Sequence, residues 1–451
     1  MTRRSAGLAG LIGLAALAGA ASAGDETPKP RSPVERMETA RLKAAHEDVA
    51  KLRRSRREVA SRPGWNDYRV ILHAHAEDSA HTGGTRPEML ADAKQAGVRA
   101  IFLSDHHRPP KDFITDSWRG FHDGVLFIPG SEARGFLIHP MHSTMGRMDD
   151  PTPAFIKAVG NDGGLIFLSH IEERPDHPMT GLDGMEIYNR HADAKKDKGG
   201  ILALVLKLTD PKSLHELEAS LRLYPDELFA AQLTYPEDYL AKWDRETLTR
   251  RLTGVAANDC HHNQVLIVKM IDEESVRVGT NVDADDQMRT VSARLRPGIR
   301  ALTAGRKPGD VVARIDLDPY RRSFLNVSTH VLAPALTEEA LRAALRAGHA
   351  YVSHDWMGDP TGFQFTMTVH GLETTVPMGA EVTFVAGATF EVESPLPCHI
   401  RLLKAGLTVA EGRGPHWESR VSGPGVYRAE AWLVVDGEER PWVYSNPIYV
   451  R

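Results

Sequence analysis

The stretch VILHAHAEDSAHTGG, residues 70–84, joins an apolar strand pattern to a loop that carries three histidines. His73 and His75 stand two positions apart where the strand pattern ends, so their side chains are expected on the same side of the chain. His81 follows in the loop, whereas the acidic pair at 77–78 is interpreted as ordinary loop residues. A single histidine at a strand end is usually a hydrogen-bonded surface or core residue. Other parts of the chain must therefore decide whether this is a polar loop or the start of a metal site.

Strand and helix patterns alternate on the carboxyl side of this stretch. Helical spacing with Pro near the start and Gly at the end occurs in RPEMLADAKQAG, and apolar strand patterns occur in VRAIFLSDHH, GVLFIPGSE, LIFLSH and GMEIYN. This alternation predicts a parallel α/β architecture, and a barrel is favoured, over about residues 65–360. Beyond it, short strands with turn residues predict a small all-β sandwich domain over 361–451.

The amino-terminal region has the layout of a secretory signal peptide. Arg3 and Arg4 precede a Gly/Ala-rich apolar run that ends in small residues, which predicts a signal peptide over 1–23 and an exported, periplasmic or secreted protein. The alternative, a membrane anchor, is disfavoured because the run is too short. General secretion and the twin-arginine route both stay open. Residues 24–64 are interpreted as a linker followed by a basic helix, whose arginines at 53, 54, 56 and 57 are expected to form a solvated face.

Composition excludes some classes of function. The 451 residues are 41% hydrophobic and 25% charged, with a net charge of −5, so the chain is a globular protein without the basic field that nucleic-acid binding needs. No later apolar run is long enough to span a membrane. The only cysteines are Cys260 and Cys398, and a structural disulfide is not favoured because Cys260 lies inside a histidine-rich motif. The 21 histidines are numerous and clustered.

Residues that bind metals follow one strand pattern after another. After the first pair at 73 and 75 come His106, Glu132, His139, His170, Asp259 and His261, each at or just after the end of an apolar run. The carboxyl ends of barrel strands form the active face of such a fold, so these side chains are expected to converge. Imidazole and carboxylate ligands with little thiolate suit Zn, Mn or Fe better than Ca or Mg.

The motifs LHAHAEDSAH, LSDHH, PGSEA, LSH and NDCHH, taken in this order, resemble the PHP (polymerase and histidinol phosphatase) superfamily. The resemblance runs from about Tyr68 to Asn263, and with a trailing segment to about Pro360. It departs from the family pattern at Ala76, where Thr or Ser is usual. The trailing HVLAPALTEEALRAALRAGHAYVSHDW and the terminal RPWVYSNPIYV resemble a narrower branch, the carbaryl-hydrolase-like metallohydrolases with an appended β domain.

The resemblance implies a distorted seven-stranded α/β barrel with two or three divalent transition metals. The implied ligands are His73, His75, Glu132 and Asp259 for the first metal, Glu132, His139 and His170 for the second, and His81, His106 and His261 for the third. Glu132 would bridge the first two metals. His142 competes with His139 for its position, and His139 is preferred.

The expected activity is that of a metal-dependent hydrolase, with a phosphoesterase favoured. Clustered dications would supply a metal-bound hydroxide near neutral pH, and Glu132 and Asp259 are the expected catalytic residues. Candidates for binding a small-molecule substrate are Arg134, Arg174, His107 and His262, although a surface ion pair is slightly favoured for each arginine.

Two other functions stay open at this point, and the oligomeric state is not indicated. The same metals would serve a hydrolase of carboxylic esters or carbamates. A non-catalytic exported protein that binds metal or glycan is the alternative from another class, and the intact ligand set disfavours it.

Overall fold

The computed structural model describes residues 30–196, 198–369 and 374–451. The predicted signal peptide lies outside the described residues. The helices are α1 Pro33–Arg36, α2 Thr39–Ser55, α3 Arg86–Gln95, α4 Thr152–Asn161, α5 Arg190–Lys196, α6 Lys198–Lys207, α7 Pro211–Leu223, α8 Pro225–Phe229, α9 Glu237–Thr247, α10 Ile299–Thr303, α11 Tyr320–Asn326 and α12 Glu338–Ala347. Two short 3₁₀ turns span Met145–Arg147 and Ala230–Gln232.

The first sixteen strands are interspersed among these helices. They are β1 Asn66–Ile71, β2 Ala100–Phe102, β3 Asp105–His106, β4 Gly120–His122, β5 Val125–Ile128, β6 Ser131–Ala133, β7 Phe136–His139, β8 Leu165–Leu168, β9 Gly184–Asn189, β10 Thr253–Ala257, β11 Val265–Asp272, β12 Ser275–Thr280, β13 Arg289–Ser292, β14 Val311–Asp316, β15 Ser328–Ala333 and β16 Ala350–Ser353. The remaining strands are β17 Gln364–Val369, β18 Thr374–Pro377, β19 Glu381–Val382, β20 Thr389–Lys404, β21 Leu407–Arg420, β22 Gly425–Val435, β23 Glu438–Ser445 and β24 Ile448–Val450.

The strands form three sheets in a mixed α/β fold. A large sheet has the main order β18-β17-β20-β22-β23-β16-β15-β1-β2-β5-β4, a second has the order β10-β9-β8-β7-β6-β3, and a third has the order β13-β12-β11-β14. Pairing is parallel for β1 with β2 and for β8, β9 and β10, but β7 is antiparallel to both β6 and β8. The predicted all-parallel arrangement is therefore wrong at β7.

Hydrogen bonds connect the ends of the first and last strands that carry candidate ligands. The amide of Asp259 donates to the carbonyl of His73 at 3.0 Å, and the amide of His75 donates to the carbonyl of Cys260 at 3.0 Å. Ala74 and Cys260 thereby form a parallel bridge between the exits of β1 and β10. These two strand ends lie side by side although they are far apart in the chain.

Local sequence determines where the α3 helix, which follows the loop after β1, begins. The Thr85 hydroxyl accepts a hydrogen bond from the amide of Glu88, and the amide of Thr85 donates one to the Glu88 carboxylate, which is a complete capping box. A proline in the first turn adds a fixed φ where no amide partner is needed. The α12 helix ends at Gly348, whose φ of 75° suits glycine.

The region between residues 198 and 316 contains elements that the sequence pattern did not predict. Helices α6–α8 and the sheet of β11–β14 pack against each other through Leu214, Leu228, Val268, Val276 and Ile315. The strands β11 and β12 form an antiparallel hairpin across the polar turn at 273–274. Strands of such a hairpin carry no helix between them, so the β/α alternation that guided the prediction does not reveal them.

The carboxyl-terminal strands form the other end of the large sheet. β20 and β21 make a long hairpin, and β23 pairs with β16, so the sheet continues from β1 and β15 into this region. Phe365, Phe390 and Trp442 belong to its buried core. Short strands were predicted here, and they are present. The domain boundary at 360 and the sandwich arrangement stay predictions.

The basic residues after α2 contact the rest of the protein rather than only solvent. Arg53 donates to the carbonyl of Trp356 at 3.0 Å, and Arg56 donates to the carbonyl of Thr361 at 3.0 Å. Arg57 donates to the carbonyl of Ser394 at 2.9 Å. The interpretation of this cluster as a solvated face is therefore wrong, because its guanidinium groups satisfy backbone carbonyls far along the chain.

Two further expectations can be compared with the structure. Cys260 and Cys398 are both buried and both free, so the doubt about a structural disulfide is confirmed. Among the described residues, no helix combines the length and the apolar character needed to cross a membrane.

A buried histidine in strand β15 of the large sheet predicts how stability depends on pH. His330 lies between Asp67, 2.7 Å from Nδ1, and Asp355, 3.3 Å from Nε2. Burial alone lowers the pKa of His330, but the two carboxylates outweigh it and raise the pKa to about 9. A raised pKa gives stabilisation that is complete below the unfolded-state value near 6.5 and is lost as the pH rises through 9.

We therefore expect the free energy of unfolding in urea to fall by roughly 3 kcal/mol more between pH 6.5 and pH 9 in the wild type than in His330→Gln. His215→Gln serves as the control, because His215 is an exposed histidine. An identical pH dependence in the wild type and His330→Gln would contradict the assigned charge.

Candidate metal centre

Seven of the predicted ligands meet at the ends of β1, β3, β6, β8 and β10. Ligand atoms of His73, Glu132, His170 and Asp259 all lie within 4.8 Å of one another, and so do those of His75, His106 and His261. Because β1, β8 and β10 end on the same side, the side chains that follow them point into one volume. The structure thus brings together residues from the beginning and the end of the predicted barrel.

Glu132 and Asp259 lie at the centre of these side chains. Glu132 Oε1 is 3.0 Å from His170 Nε2, and Glu132 Oε2 is 3.5 Å from both His73 Nε2 and His106 Nε2. Asp259 Oδ1 is 3.4 Å from His73 Nε2 and 3.5 Å from His75 Nε2. A carboxylate with histidines on both of its oxygens can serve two cations, which is the arrangement predicted for Glu132.

Three other carboxylates orient the histidine rings from behind. Glu186 accepts from His73 Nδ1 at 2.7 Å, and Asp78 accepts from His75 Nδ1 at 3.0 Å and from His106 Nδ1 at 2.6 Å. In the same way Glu172 lies 3.0 Å from His170 Nδ1. Each of these bonds fixes the ring and leaves Nε2 directed at the centre, as in metal sites whose ligands are held by outer carboxylates.

The chemistry of the cluster fits divalent cations. The Nε2 atoms of His73, His75 and His261 are buried and have no hydrogen-bond partner among the described residues. Buried polar atoms without partners are uncommon in native proteins and call for an explanation such as an ion. Imidazole and carboxylate donors at this spacing supply that explanation, because they are the donors that transition metals take.

The electrostatic field of the cluster also favours positive charge. Burial alone lowers the pKa of His73, yet Asp259, Glu132 and Glu186 raise it to about 10. Burial raises the pKa of Glu132, but His73 and His170 hold it well below its usual range. The same carboxylates that attract protons in this arrangement would attract metal cations.

Backbone strain is concentrated around the same cavity. Several non-glycine residues there have a left-handed φ: 58° at Arg134, 49° at His170, 48° at Asp259 and 49° at His262. Such conformations cost on the order of 1–3 kcal/mol each and persist where the surrounding structure enforces them. Strain at ligand positions is typical of a functional site.

His139, the preferred ligand for a second metal, is not part of the cluster. Among the described residues, no group whose ligand atoms all lie within 4.8 Å of one another includes His139. The physical reason is the direction of β7: this strand is antiparallel to its neighbours, so its last residue pairs with Leu165 at the start of β8. The competing candidate His142 is exposed and pairs with Asp162 at 2.6 Å.

His81 lies beside the second group but outside it. Its ring centre is 4.8 Å from that of His106 and 4.9 Å from that of His261, while its Nδ1 is 3.1 Å from Ser79 Oγ. His75, rather than His81, has a ligand atom within 4.8 Å of those of His106 and His261. A third site of His81, His106 and His261 would need the exposed His81 side chain to turn toward the other two.

The four predicted substrate-binding residues divide into two pairs. Arg134 and Arg174 line the cavity that contains the cluster. Arg134 stacks on Phe155 and donates to Thr152 at 3.0 Å, whereas Arg174 lies 3.3 Å from Glu173.

The second pair does not line this cavity. The amide of His107 donates to the carbonyl of Glu132 at 3.4 Å. His262 forms an ion pair with Asp316 at 3.2 Å, because the left-handed backbone at this position directs the ring away from His261. Neither histidine is among the residues that line the cavity.

Several residues of the site were missed at the level of sequence. Asp78 was interpreted as a loop residue, and Glu186 and His191 were assigned no role. His191 Nδ1 in fact lies 3.7 Å from Asp259 Oδ2, and its side chain lines the cavity. A charged residue inside the apolar strand GMEIYN was a signal that would have identified Glu186. Arg190, which precedes His191, also lines the cavity.

Comparisons with known proteins include a distant similarity to a solved structure. No protein-family model matches the sequence, and no curated protein matches it. The chain is similar to a solved two-domain protein from Bacteroides vulgatus ATCC 8482 that contains a predicted PHP-like metal-dependent phosphoesterase. The identity is 12%, the similarity covers 86% of this chain and 98% of that chain, and the TM-score is 0.33.

Proposed function

We propose that this chain is a metal-dependent phosphoesterase of the PHP type, with the metal centre at the mouth of a distorted seven-stranded barrel. One observation carries the proposal: a group of three imidazoles and a neighbouring group of imidazoles and carboxylates contribute residues to the same cavity that Arg134 and Arg174 line. Hydrolysis of phosphate esters uses both elements. Bound metals would activate water and polarise a phosphoryl oxygen, and arginines would bind the remaining oxygens.

The proposed ligands are His73, His75, Glu132, His170 and Asp259 for two cations, with His106 and His261 available to a third. When bound, Zn, Mn or Fe would supply Lewis-acid activation of water and of the ester. Glu132 would be the ligand shared by the two principal cations, because each of its oxygens faces a histidine Nε2 atom. Asp259 can accept a hydrogen bond from an attacking water, because its second oxygen faces the cavity side, where His191 lies 3.7 Å away.

A second candidate reaction is hydrolysis of carboxylic esters or carbamates on the same metals. The observation that favours it is the apolar portion of the cavity, which includes Leu228, Phe229 and Leu266. An uncharged substrate would gain most of its binding free energy by burying apolar surface against these residues. Arg134 favours the phosphoesterase, because no carboxylate among the described residues pairs with it and a carbamate would bring it no anionic partner.

Metal analysis followed by parallel assays tests the proposal. We expect at least two equivalents of transition metal in the purified protein, removable with a chelator, and release of p-nitrophenol from p-nitrophenyl phosphate that is lost and regained with the metal. Turnover of naphthyl acetate or a naphthyl carbamate alone would favour the second candidate. Absence of bound metal, together with no turnover after reconstitution, would leave only a non-catalytic role.

We also propose that the protein is exported and acts on a small molecule in the periplasm or outside the cell. The support is the amino-terminal sequence, with its basic start, apolar run and small-residue site. Membership of the carbaryl-hydrolase-like branch is likewise a proposal that rests on sequence motifs alone. Fractionation of cells that produce the full chain tests the location, and retention of the whole product in the cytoplasm would contradict it.

A further inference from the structure

The cavity of the metal cluster continues into an apolar half. Its volume is about 750 Å³, which is within the range of sites for molecules much larger than phosphate itself. The apolar half is lined by Met37, Leu221, Leu228, Phe229, Leu266 and Leu317. These residues come from the end of α1, from α7, α8 and β11 and from the segment after β14, which are mostly elements that the β/α pattern did not predict. The wall of the cavity is therefore built by parts of the chain that carry no metal ligand.

Arg190 stands between the two halves. It is the first residue of α5, directly after β9, and it precedes His191, which reaches Asp259. Only 5% of Arg190 is exposed. Its guanidinium stacks on the Phe229 ring at 4.4 Å from the centroid, and Nη2 donates to Gln232 at 2.7 Å.

Among the described residues, no carboxylate forms an ion pair with Arg190, although Asp193 is near enough for its pKa, which burial raises, to be lowered by the Arg190 charge. No carboxylate among the described residues lies within 4 Å of it, and its Nε and Nη1 atoms are buried without a hydrogen-bond partner. The acidic residue that follows shortly, Asp193, is instead occupied by Tyr188 at 2.8 Å and by Thr234. A buried, unpaired guanidinium is costly, and an anionic ligand in the cavity would remove that cost.

We infer that the substrate is a phosphate monoester of an apolar alcohol, with Arg190 bound to a phosphate oxygen and the aryl or alkyl group seated against Phe229 and the leucine wall. This inference rests on the proposed phosphoesterase function and names its substrate class. Phe229 serves both parts of the ligand, because its ring supports the guanidinium and belongs to the apolar wall. Polar alcohols such as sugars would leave their hydroxyl groups without partners in this half of the cavity.

Binding of phosphonates that cannot be hydrolysed gives a test that does not depend on turnover. We expect metal-loaded protein to bind naphthylmethylphosphonate at least 10-fold more tightly than methylphosphonate in calorimetry. Arg190→Met should weaken binding of the naphthyl compound by about 10- to 100-fold, the size of a lost charge-assisted hydrogen bond. Leu221→Gln, on the apolar wall, should weaken the naphthyl compound and leave methylphosphonate unchanged.

Thermal unfolding of the free protein separates this role from a structural one. If Arg190 serves a ligand, Arg190→Met should keep or raise the melting temperature, because it removes an unpaired buried charge. If its contacts with Phe229 and Gln232 are purely structural, the melting temperature should fall and phosphonate binding should be unaffected. Arg245→Met, in a largely exposed position on α9, is the matched control for both measurements.

Two outcomes would overturn the inference: equal affinities for the naphthyl and methyl phosphonates, or unchanged naphthyl binding in Arg190→Met. Both can occur while p-nitrophenyl phosphate is still hydrolysed, so they are distinct from failure of the proposed function. Failure of that function would appear as a lack of phosphate release from every ester tested with the metal-loaded wild type.

Discussion

Replacing Glu132 with Gln is expected to abolish retention of two metals and to lower kcat for p-nitrophenyl phosphate by about 10³-fold or more. The amide keeps the shape of the side chain but removes the negative charge and one acceptor oxygen. Both oxygens of Glu132 face histidine Nε2 atoms, at 3.0 Å from His170 and 3.5 Å from His73 and His106. Loss of the charge therefore affects both cation positions that share it.

The measurement is the metal content of the purified variant, together with its steady-state kinetics. Glu173→Gln is the matched control, because Glu173 also lines the cavity but is half-exposed and pairs with Lys195 at 2.7 Å. That control should keep the metal content of the wild type. A full metal complement in Glu132→Gln would refute the bridging role, whatever the activity of the variant.

The second large effect is expected at Asp78, which touches no cation position itself. One oxygen of Asp78 accepts from both His75 and His106, and the amide of His106 also donates to it at 2.8 Å. Burial by itself raises the pKa of Asp78, but these hydrogen bonds hold it well below its usual range. Asp78→Asn removes the charge that fixes two imidazoles at once, so we expect metal affinity to fall by about 10- to 100-fold or more.

The neighbouring residue provides the control for Asp78. Glu77→Gln changes the adjacent carboxylate, which is exposed, and should leave metal affinity unchanged. Titration with a competing chelator measures both variants. A positioning role also predicts that excess metal restores the kcat of Asp78→Asn while the KM for p-nitrophenyl phosphate stays near the wild-type value. Equal metal affinities for Asp78→Asn and Glu77→Gln would exclude this role.

The cluster could be predicted from the sequence where a ligand stands at a strand end. His73, His106, His170 and Asp259 each follow a recognisable apolar run, and the direction of a parallel strand then determines where the side chain goes. The same reasoning failed at His139, since nothing in the four residues of β7 reveals that the strand runs antiparallel. Strand direction depends on the connection and on pairing with neighbours, and neither is a local property.

Residues that act through other residues were harder to predict. Asp78 can orient His106 only because the loop after β1 lies close to β3 in the folded protein. Arg190 can stack on Phe229 only because α8 brings that ring beside it. Both depend on contacts between distant segments. The helices and hairpin at 198–316 were missed for a related reason. Their apolar residues pack against one another, and strands and helices do not alternate in this part of the chain.

The bridge between Ala74 and Cys260 has a consequence for the order of assembly during folding. The backbone hydrogen bond from the amide of Asp259 to the carbonyl of His73 closes a long loop, from residue 73 to residue 259. Closure of so long a loop is entropically costly and slow. Since the two ligands become neighbours only at this step, a nascent chain that has not yet reached Asp259 lacks a complete site. Metal capture should then coincide with the last stage of folding and favour the closed form.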